Sequence, residues 1–362
     1  MRTNRKRIVE LMIFVLLSLL LFDKISLLCV SIGKGMDYNR DKRLVFEIPK
    51  NTIDVLFAGD SHVFHSFIPQ LIFDEKGYSS VVAATSNQSV INSYWVIKEV
   101  LVDQKPKVLV MDIHSVEDTL RKKDDFFHFT SGVLAIPDLS INKYLCYKDL
   151  KESNYGMSDS LTLSDVIGFF QFREDYERND ASFFELFSLL FHPAKEFDTF
   201  GYYPATDVTQ VDEFVVGSEK NESFTETISY AYLNRIFELC TENGINMILT
   251  RTPYSSKTGD IHSYEQIFEW ARERNVEVID YFDLIDEIGF DKDTDFFNNT
   301  HLNYNGAKKV TLHMVGVLNK YGLVDHRDDK RYSLWINNSF DYESVERQMK
   351  ENIRNVDEKG KE

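Results

Sequence analysis

Ser61 occupies a position where an α/β protein can hold a reactive side chain. It follows the apolar run TIDVLFA at 52–58, which is typical of a buried strand, and the glycine at 59. A strand that ends there and turns into a helix places the next side chains at a helix N-terminus, where backbone N–H groups can stabilise an oxyanion. Serine is a weak nucleophile until a base takes its proton. The alternative role for Ser61 is a helix N-cap.

The candidate base is His301, in the segment Asn-Asn-Thr-His-Leu-Asn at 298–303. A histidine on a loop between a late strand and the final helix can accept the serine proton and return it to a leaving group. The pair of Ser61 and His301 therefore predicts an acyl-serine mechanism.

Apolar runs alternate with helical patterns along most of the chain. This alternation predicts a parallel sheet with helices on both faces. The predicted strands are 52–58, 80–84, 107–113, 246–250 and 276–281, and the predicted helices are 93–102, 226–240, 264–274 and 304–321, the last ending at Gly322.

The predicted strands bring the candidate residues to one edge. In open parallel sheets the site lies beyond the carboxyl ends of the strands. Four segments end there: 59–62, 86–89, 114–115 and 298–301. Arg251 and Tyr254, after the fourth strand, either line this pocket or lie on the surface.

Two segments resemble the SGNH/GDSL hydrolase superfamily. GDSH at 59–62 is similar to its first sequence block and NNTHLNYNGA at 298–307 to its last. SNQSVINSYWVIKEVL at 86–101 and KPKVLVMDI at 105–113 resemble the middle of its membrane-anchored bacterial branch, which includes the D-alanyl-lipoteichoic acid biosynthesis protein and the alginate O-acetylation proteins. The resemblance covers residues 50–115 and 225–322. It implies a flavodoxin-like three-layer α/β/α fold with a five-stranded parallel sheet, and a serine esterase or acyltransferase with Ser61 as nucleophile and His301 as base.

The resemblance also implies an oxyanion hole. The Ser61 backbone N–H would be one donor, and Asp60 beside it joins the substrate-binding candidates. The second family block usually offers a glycine, where this chain has Asn87, and asparagine tolerates the left-handed backbone better than most residues. The third block usually supplies an asparagine side chain, for which His114 and Ser115 are the nearest candidates.

Asn298 departs from the family pattern, which is Asp-x-x-His. In the serine-triad template, an aspartate-to-asparagine change costs about four orders of magnitude in turnover. Three outcomes stay open. Asn298 orients His301 as a neutral group, Asp295 or another acid replaces it, or the protein binds without catalysis.

Composition excludes some classes of function. A net charge of −17 over 362 residues excludes a nucleic-acid binder, because an acidic chain repels phosphate. The three cysteines, with no CxxC, indicate neither a disulfide framework nor a structural zinc site. His62 and His65, three apart, could ligate a metal, but no third ligand has matching spacing, so capping or a surface position is favoured. No metal and no organic cofactor is expected.

The N-terminus predicts a signal anchor over 1–32. Four basic residues precede apolar runs at 11–22 and 25–32, and the basic flank should stay in the cytoplasm. A signal peptide is the alternative. We expect a connector at 33–50 and an extracytoplasmic SGNH-like domain at 51–325.

Two further regions complete the predicted organisation. An aromatic-rich insertion at about 114–227 either folds over the functional edge or forms an ordinary helical insertion with its own small core. A polar tail with a solvated helix is expected at 326–362.

The sequence thus predicts a membrane-attached esterase or O-acyltransferase acting on acyl groups of an envelope polysaccharide or teichoic-type polymer. A membrane-bound O-acyltransferase is a candidate partner. The alternative is a weak or inactive scaffold protein that serves such an acyltransferase, and Asn298 favours it.

Overall fold

The computed structural model describes residues 2–32, 44–118, 126–153, 155, 157–171, 199–211, 218–219, 223–254, 260–261 and 264–359. Most of the predicted connector and, within the predicted insertion, residues 119–125, 172–198 and most of 212–222 lie outside the described residues.

Five parallel strands form the central sheet. They are β1 (Val55–Gly59), β2 (Ser80–Ala84), β3 (Val108–Asp112), β4 (Asn246–Arg251) and β5 (Glu277–Asp280). Their order is β2-β1-β3-β4-β5, and all neighbouring pairs are parallel. The predicted α/β fold with a five-stranded parallel sheet is confirmed. In this strand order, ligands bind where the order reverses, between β1 and β3.

Helices cover both faces of the sheet, and a short antiparallel hairpin follows the last strand. The helices are α1 (Arg2–Ile32), α2 (Ser61–Phe64), α3 (Pro69–Lys76), α4 (Val90–Asp103), α5 (His114–Asp118), α6 (Phe126–Ala135), α7 (Ile141–Glu152), α8 (Ile228–Asn243), α9 (Tyr264–Glu273), α10 (Tyr304–Leu318), α11 (Ser333–Ile336) and α12 (Tyr342–Lys359). The hairpin consists of β6 (Phe296–Asn298) and β7 (His301–Leu302). Ser218–Glu219 and Asp260–Ile261 form a separate parallel pair.

Alternate strand residues enter two separate cores. Leu56 and Val81 pack under α4, α8 and α9, whereas Val55, Phe57 and Val82 pack under α2, α3 and α10. Every residue of β1, β2 and β3 is buried. Because both faces are covered, these strands are continuous apolar runs rather than alternating ones.

Helix ends follow local capping chemistry. α4 begins at Val90, three residues before the predicted start, because the Ser89 side chain accepts the backbone N–H of Asn92. The helix predicted at 304–321 is α10 followed by a 3-10 turn at Asn319–Tyr321, and Gly322, whose φ of 63° is left-handed, caps this turn as expected.

The described part of the insertion joins the main helical layer. α6 and α7 pack on α4, and Phe129, Val133 and Cys146 belong to the same core as the sheet. The helical character was predicted, and α6 also contributes Leu134 to a small separate cluster with Cys29 of α1. Phe200 lies at the edge of β2, where its carbonyl accepts the Val82 N–H at 2.9 Å.

The C-terminal segment contains the expected helix, as α12, but part of the segment is buried against the domain. Trp335 is 1% exposed, its indole N–H donates to the Ser80 carbonyl, and its ring stacks on Phe200 at 4.8 Å. Tyr332 and Met349 are also buried. Residues 326–362 are polar on average, so the sequence pattern did not reveal these few buried apolar side chains, which attach the segment to the domain.

α1 is one continuous helix whose large apolar side chains from Ile8 to Leu21 are exposed. Near its C-terminal end, the Asp23 carboxylate accepts the backbone N–H of Asp138 at 2.9 Å. Among the residues that the structure describes, no helix combines the length and apolarity required to cross a membrane. The predicted transmembrane helix therefore has no support from the structure.

Candidate active site

The turn after β1 places Ser61 at the first position of α2. Gly59 has a φ of +149°, and a Cβ atom on it would lie 2.5 Å from the Cγ2 atom of Val63. Asp60 is the N-cap, because its Oδ1 accepts the backbone N–H of His62 at 3.0 Å. The capping role considered for Ser61 therefore belongs to Asp60, and the Ser61 hydroxyl is available for chemistry.

His301 lies against Ser61 across the fold. Its Nε2 atom is 2.7 Å from the Ser61 Oγ atom, and the serine side chain is buried. The histidine sits in β7, at the end of the hairpin that follows the sheet. This is the hydrogen-bond distance that a nucleophile and its base require.

Asn298 fixes the tautomer of His301. Its Oδ1 accepts the backbone N–H groups of Thr300 at 2.9 Å and His301 at 3.0 Å. Since N–H groups can only donate, this atom is the amide oxygen. The Nδ1 atom of His301 lies 3.0 Å from the same oxygen and 3.1 Å from the Thr300 hydroxyl, which donates its own proton to Asn298 Oδ1 at 3.0 Å. With both neighbours acting as acceptors, this arrangement assigns a proton to Nδ1. The Nε2 atom keeps its lone pair toward Ser61, which is the arrangement of a general base.

His301 is held neutral by its surroundings. Burial lowers the pKa of His301 to about 3, and the nearby imidazole of His62 contributes in the same direction. Asn298 adds no negative charge that would oppose this. The ring is therefore ready to accept a proton at neutral pH, but the imidazolium it would form has no carboxylate hydrogen-bonded at Nδ1.

Asp295 does not replace the missing carboxylate. It is fully buried, and its oxygens accept from the Lys309 ammonium at 2.7 Å, the Asp291 backbone N–H at 2.7 Å and the Asn305 amide at 2.6 Å. Burial raises the pKa of Asp295, although these donors oppose the effect. Its role in this structure is to fasten the loop before the hairpin to α10.

The segment 199–211 braces the histidine hairpin, which the sequence did not indicate. Thr209 donates its N–H to the Phe296 carbonyl at 2.9 Å and its hydroxyl to the Phe297 carbonyl at 2.8 Å. The Tyr304 N–H donates to the Ala205 carbonyl at 2.8 Å. This part of the insertion therefore contacts the hairpin that carries the base, in agreement with the alternative that places the insertion over the functional edge.

The candidate oxyanion donors from the sequence have different conformations and hydrogen bonds in the structure. Asn87 follows β2 and has a left-handed φ of 49°, the conformation expected for a residue in the place of a glycine. The Ser115 hydroxyl donates to the Asp112 carbonyl at 3.0 Å at the start of α5 and is fully buried. The single hydroxyl proton of Ser115 is therefore engaged in a hydrogen bond to a backbone carbonyl. His114 remains as the side-chain candidate after β3.

A cluster of imidazoles surrounds the pair, which the sequence did not predict. The ring centroid of His62 is 5.2 Å from that of His301 and 3.7 Å from that of His114, and the His65 ring lies 4.6 Å from His301. Both His62 and His114 approach the buried carboxylate of Asp60 through Nδ1, at 3.1 Å and 2.6 Å.

Asp60 is a charged carboxylate in this cluster. Burial by itself raises the pKa of Asp60, but the attraction of His114 and His62 and their hydrogen bonds outweigh it and hold the pKa well below its usual range. The ligand atoms of Asp60, His62 and His114 lie within 4.8 Å of one another, which a metal site would also require. A carboxylate cannot donate, so in this arrangement both Nδ1 atoms bear protons. We interpret the three as a hydrogen-bonded network.

Arg251 and Tyr254 have different roles. Arg251 forms a two-pronged ion pair with Asp280 and is almost fully buried, so it ties β4 to β5. The Tyr254 ring meets His62 at 5.5 Å and His114 at 5.7 Å, edge-on, and so lines the imidazole cluster.

No protein-family model matches the chain, and no curated protein matches it. Among solved structures, it is similar to a candidate acylhydrolase from Bacteroides fragilis NCTC 9343, with 12% identity and a TM-score of 0.36 over 79% of this chain and 96% of that chain. A similarity at that TM-score carries no argument about function.

Proposed function

We propose that this protein is a serine-dependent esterase or O-acyltransferase that works through an acyl-Ser61 intermediate. The supporting observation is the 2.7 Å contact between Ser61 Oγ and the unprotonated Nε2 of His301, in the tautomer that Asn298 imposes. A helix cap does not explain this pair, since Asp60 performs the capping.

Acylation begins when the Ser61 oxygen attacks the ester carbonyl while His301 Nε2 takes the hydroxyl proton. The carbonyl oxygen becomes an oxyanion beside the backbone N–H groups at the start of α2. When the intermediate collapses, the C–O bond to the leaving alcohol breaks and His301 returns the proton to that alcohol. Water or an acceptor hydroxyl then attacks the acyl carbon and gives its proton to His301, the bond between the acyl group and Ser61 Oγ breaks, and His301 returns the proton to Ser61.

The substrate class we propose is an acyl ester on an envelope polysaccharide or teichoic-type polymer. It rests on the sequence resemblance alone, as do the extracytoplasmic membrane location and the membrane-bound O-acyltransferase as partner.

A second candidate function has its own observation. Asn298 supplies no charge to His301, so a scaffold that uses the same fold only for binding is the alternative. Under this proposal the Ser61–His301 contact would be present without turnover.

The reactivity of Ser61 distinguishes the acyl-serine enzyme from the scaffold. The full chain, Ser61→Ala and His301→Gln would be treated with a fluorophosphonate probe and assayed on p-nitrophenyl acetate. We expect labelling and turnover in wild type, loss of both in Ser61→Ala, and a loss of at least about a thousandfold in His301→Gln. An unlabelled wild type that matches Ser61→Ala in turnover would favour the scaffold.

A further inference from the structure

Three side chains of the types that bind metal ions meet beside Ser61. Asp60 and His62 flank Ser61 in the turn after β1, and His114 begins α5 after β3. One ligand atom of each lies within 4.8 Å of the other two. Two imidazoles and a carboxylate are a common ligand set for first-row divalent ions such as Zn²⁺. Sequence spacing did not reveal this set because His114 is 54 positions from Asp60.

Both imidazoles direct Nδ1 at the Asp60 carboxylate. The His62 Nδ1 atom is 3.1 Å from Oδ1, and the His114 Nδ1 atom is 2.6 Å from Oδ2. Two ligand atoms on one tetrahedral ion are separated by roughly 3.3–3.5 Å, given metal–ligand distances of about 2.0–2.1 Å. An outward shift of His114 by about 1 Å would therefore make room for an ion. His114 is the less buried of the two rings, with 15% of its side chain exposed against 4% for His62.

The buried charge of Asp60 favours a cation at this position. Its carboxylate is fully buried, and among the described residues its ion-pair partners are these two histidines, with no lysine or arginine. A negative charge in such a place is stable only when positive charge or strong donors compensate it. Neutral imidazoles supply donors but no charge, whereas a divalent ion supplies the charge itself.

We propose that Asp60, His62 and His114 form a binding site for one divalent transition-metal ion of the Zn²⁺ class. The ion takes the lone pair of each Nδ1 atom and one lone pair of the carboxylate. Each displaced proton moves to Nε2 of the same ring or to solvent. The hydrogen-bonded network and the metal complex are thus alternative arrangements of the same three side chains. Three protein ligands leave a fourth position for water or a substrate oxygen.

The backbone around this site is held by contacts that orient the ligands. Asp112 Oδ1 accepts the His114 backbone N–H at 2.8 Å, and its Oδ2 accepts the Thr252 backbone N–H at 3.0 Å and hydroxyl at 3.1 Å. Asp60 Oδ1 accepts the His62 backbone N–H at 3.0 Å. Hydrogen bonds of this kind fix the direction of ligand side chains before an ion arrives.

An ion at this site would also affect the reactive pair, and this consequence rests on the proposed acyl-serine function. The ring centroids of His62 and His301 are 5.2 Å apart. His301 must become positive when it takes the Ser61 proton, and a cation on the neighbouring ring opposes that step. Asn298 gives the imidazolium no carboxylate in compensation. Ion binding should therefore inhibit the enzyme.

The first experiment measures ion binding independently of activity. The full chain, prepared without a histidine tag and stripped with a chelator, would be titrated with Zn²⁺ by calorimetry and with Co²⁺ by visible absorption. We expect one ion per chain. Asp60→Asn and His62→Gln should each weaken binding by at least about tenfold, because the loss of an outer-shell partner alone costs about that much.

Two controls confine this result to the proposed ligands. Asparagine is as good an N-cap as aspartate, so Asp60→Asn preserves α2. His313→Gln removes a half-buried histidine from α10 and should bind the ion as wild type does. Binding that is unchanged in Asp60→Asn, or weakened equally by His313→Gln, would overturn the proposal. The absence of a one-to-one complex in wild type would do the same.

The second experiment follows hydrolysis of p-nitrophenyl acetate with and without saturating Zn²⁺, after subtraction of the protein-free rate. We expect kcat of wild type to fall about tenfold or more. Asp60→Asn, compared with its own rate in chelator, should not fall further. A wild-type rate that stays the same or rises with the ion bound would overturn the inhibition.

Ser61→Ala separates the two proposals. Its hydroxyl is not a ligand, so this variant should bind Zn²⁺ as tightly as wild type. If Ser61→Ala hydrolyses the ester as fast as wild type, the acyl-serine function fails, while the calorimetric titrations still decide whether Asp60, His62 and His114 bind the ion.

Discussion

The Nε2 atom of His301 lies 2.7 Å from the Oγ atom of Ser61, although 240 positions separate them in the chain. The other ring nitrogen meets an amide oxygen of Asn298 rather than a carboxylate. The nucleophile and its base are therefore in contact, but the base lacks the carboxylate that usually accepts its other N–H. Replacing Asn298 with aspartate restores this charge and tests its importance.

Asn298→Asp should raise activity and shift the acid limb of the profile of kcat/KM against pH. A carboxylate at Nδ1 stabilises the His301 imidazolium, so the pKa of His301 moves upward from about 3. Because the base must be neutral, wild type should stay active at lower pH than the variant, while the variant gains kcat at neutral pH by about tenfold or more. The measurement is kcat/KM against pH, with Asn299→Asp as a control for added charge. Equal acid limbs in wild type and Asn298→Asp would contradict the prediction.

The stability of the protein should fall as the pH drops through the same range. His301 is depressed to about 3 in the folded state, whereas an unfolded histidine titrates near 6.5. Between these values the unfolded chain binds the extra proton, so the free energy of unfolding decreases on acidification by at most about 1.4 kcal/mol per pH unit. Urea unfolding between pH 4 and 7 should show a smaller slope for His301→Gln. Ser61→Ala, which keeps the His301 imidazole, should retain most of the slope of the unfolding free energy against pH. An identical slope in His301→Gln and wild type would contradict the prediction.

Gly59→Ala should destabilise the fold and disturb the nucleophile. The new Cβ would lie 2.5 Å from Val63 Cγ2, in a backbone conformation that disfavours side chains, and we expect a loss of about 2–3 kcal/mol. Gly244→Ala is the matched control, because Gly244 is also left-handed but has nothing within 4 Å, so about 1 kcal/mol is expected there. Denaturant unfolding compares the two, and equal losses would show that the Val63 contact is unimportant.

Asn87 should tolerate glycine but not a β-branched residue. Its φ of 49° is left-handed, so Asn87→Gly should keep the backbone N–H in place and preserve kcat, whereas Asn87→Val should lower kcat by about tenfold or more. Steady-state kinetics on p-nitrophenyl acetate measure both. A large loss in Asn87→Gly with an unchanged Asn87→Val would instead assign the function to the side chain at this position.

Local sequence signals sufficed for the sheet. The second predicted strand has the observed bounds, and the other four lie within three residues of theirs, because a strand buried on both faces must be a continuous apolar run. Predicted helix ends deviated where a cap lay outside the apolar pattern, as Ser89 does before α4.

The packing contacts could not be predicted from the sequence because no local pattern encodes them. The burial of Trp335 depends on Phe200, far away in the chain, and its polar neighbours concealed it. The bracing of the hairpin by Thr209 likewise joins segments with no shared motif.

The sequence by itself predicted the sheet, because strand periodicity acts over a few residues, and it singled out Ser61, His301 and Asn298 as candidate site residues, Asn298 through the family resemblance. Only the tertiary structure decided how these groups are charged. It assigned the cap to Asp60, the tautomer of His301 to Asn298 and the buried carboxylate to His114. Ionisation depends on burial and on neighbours from remote segments, and these exist only once the chain has folded.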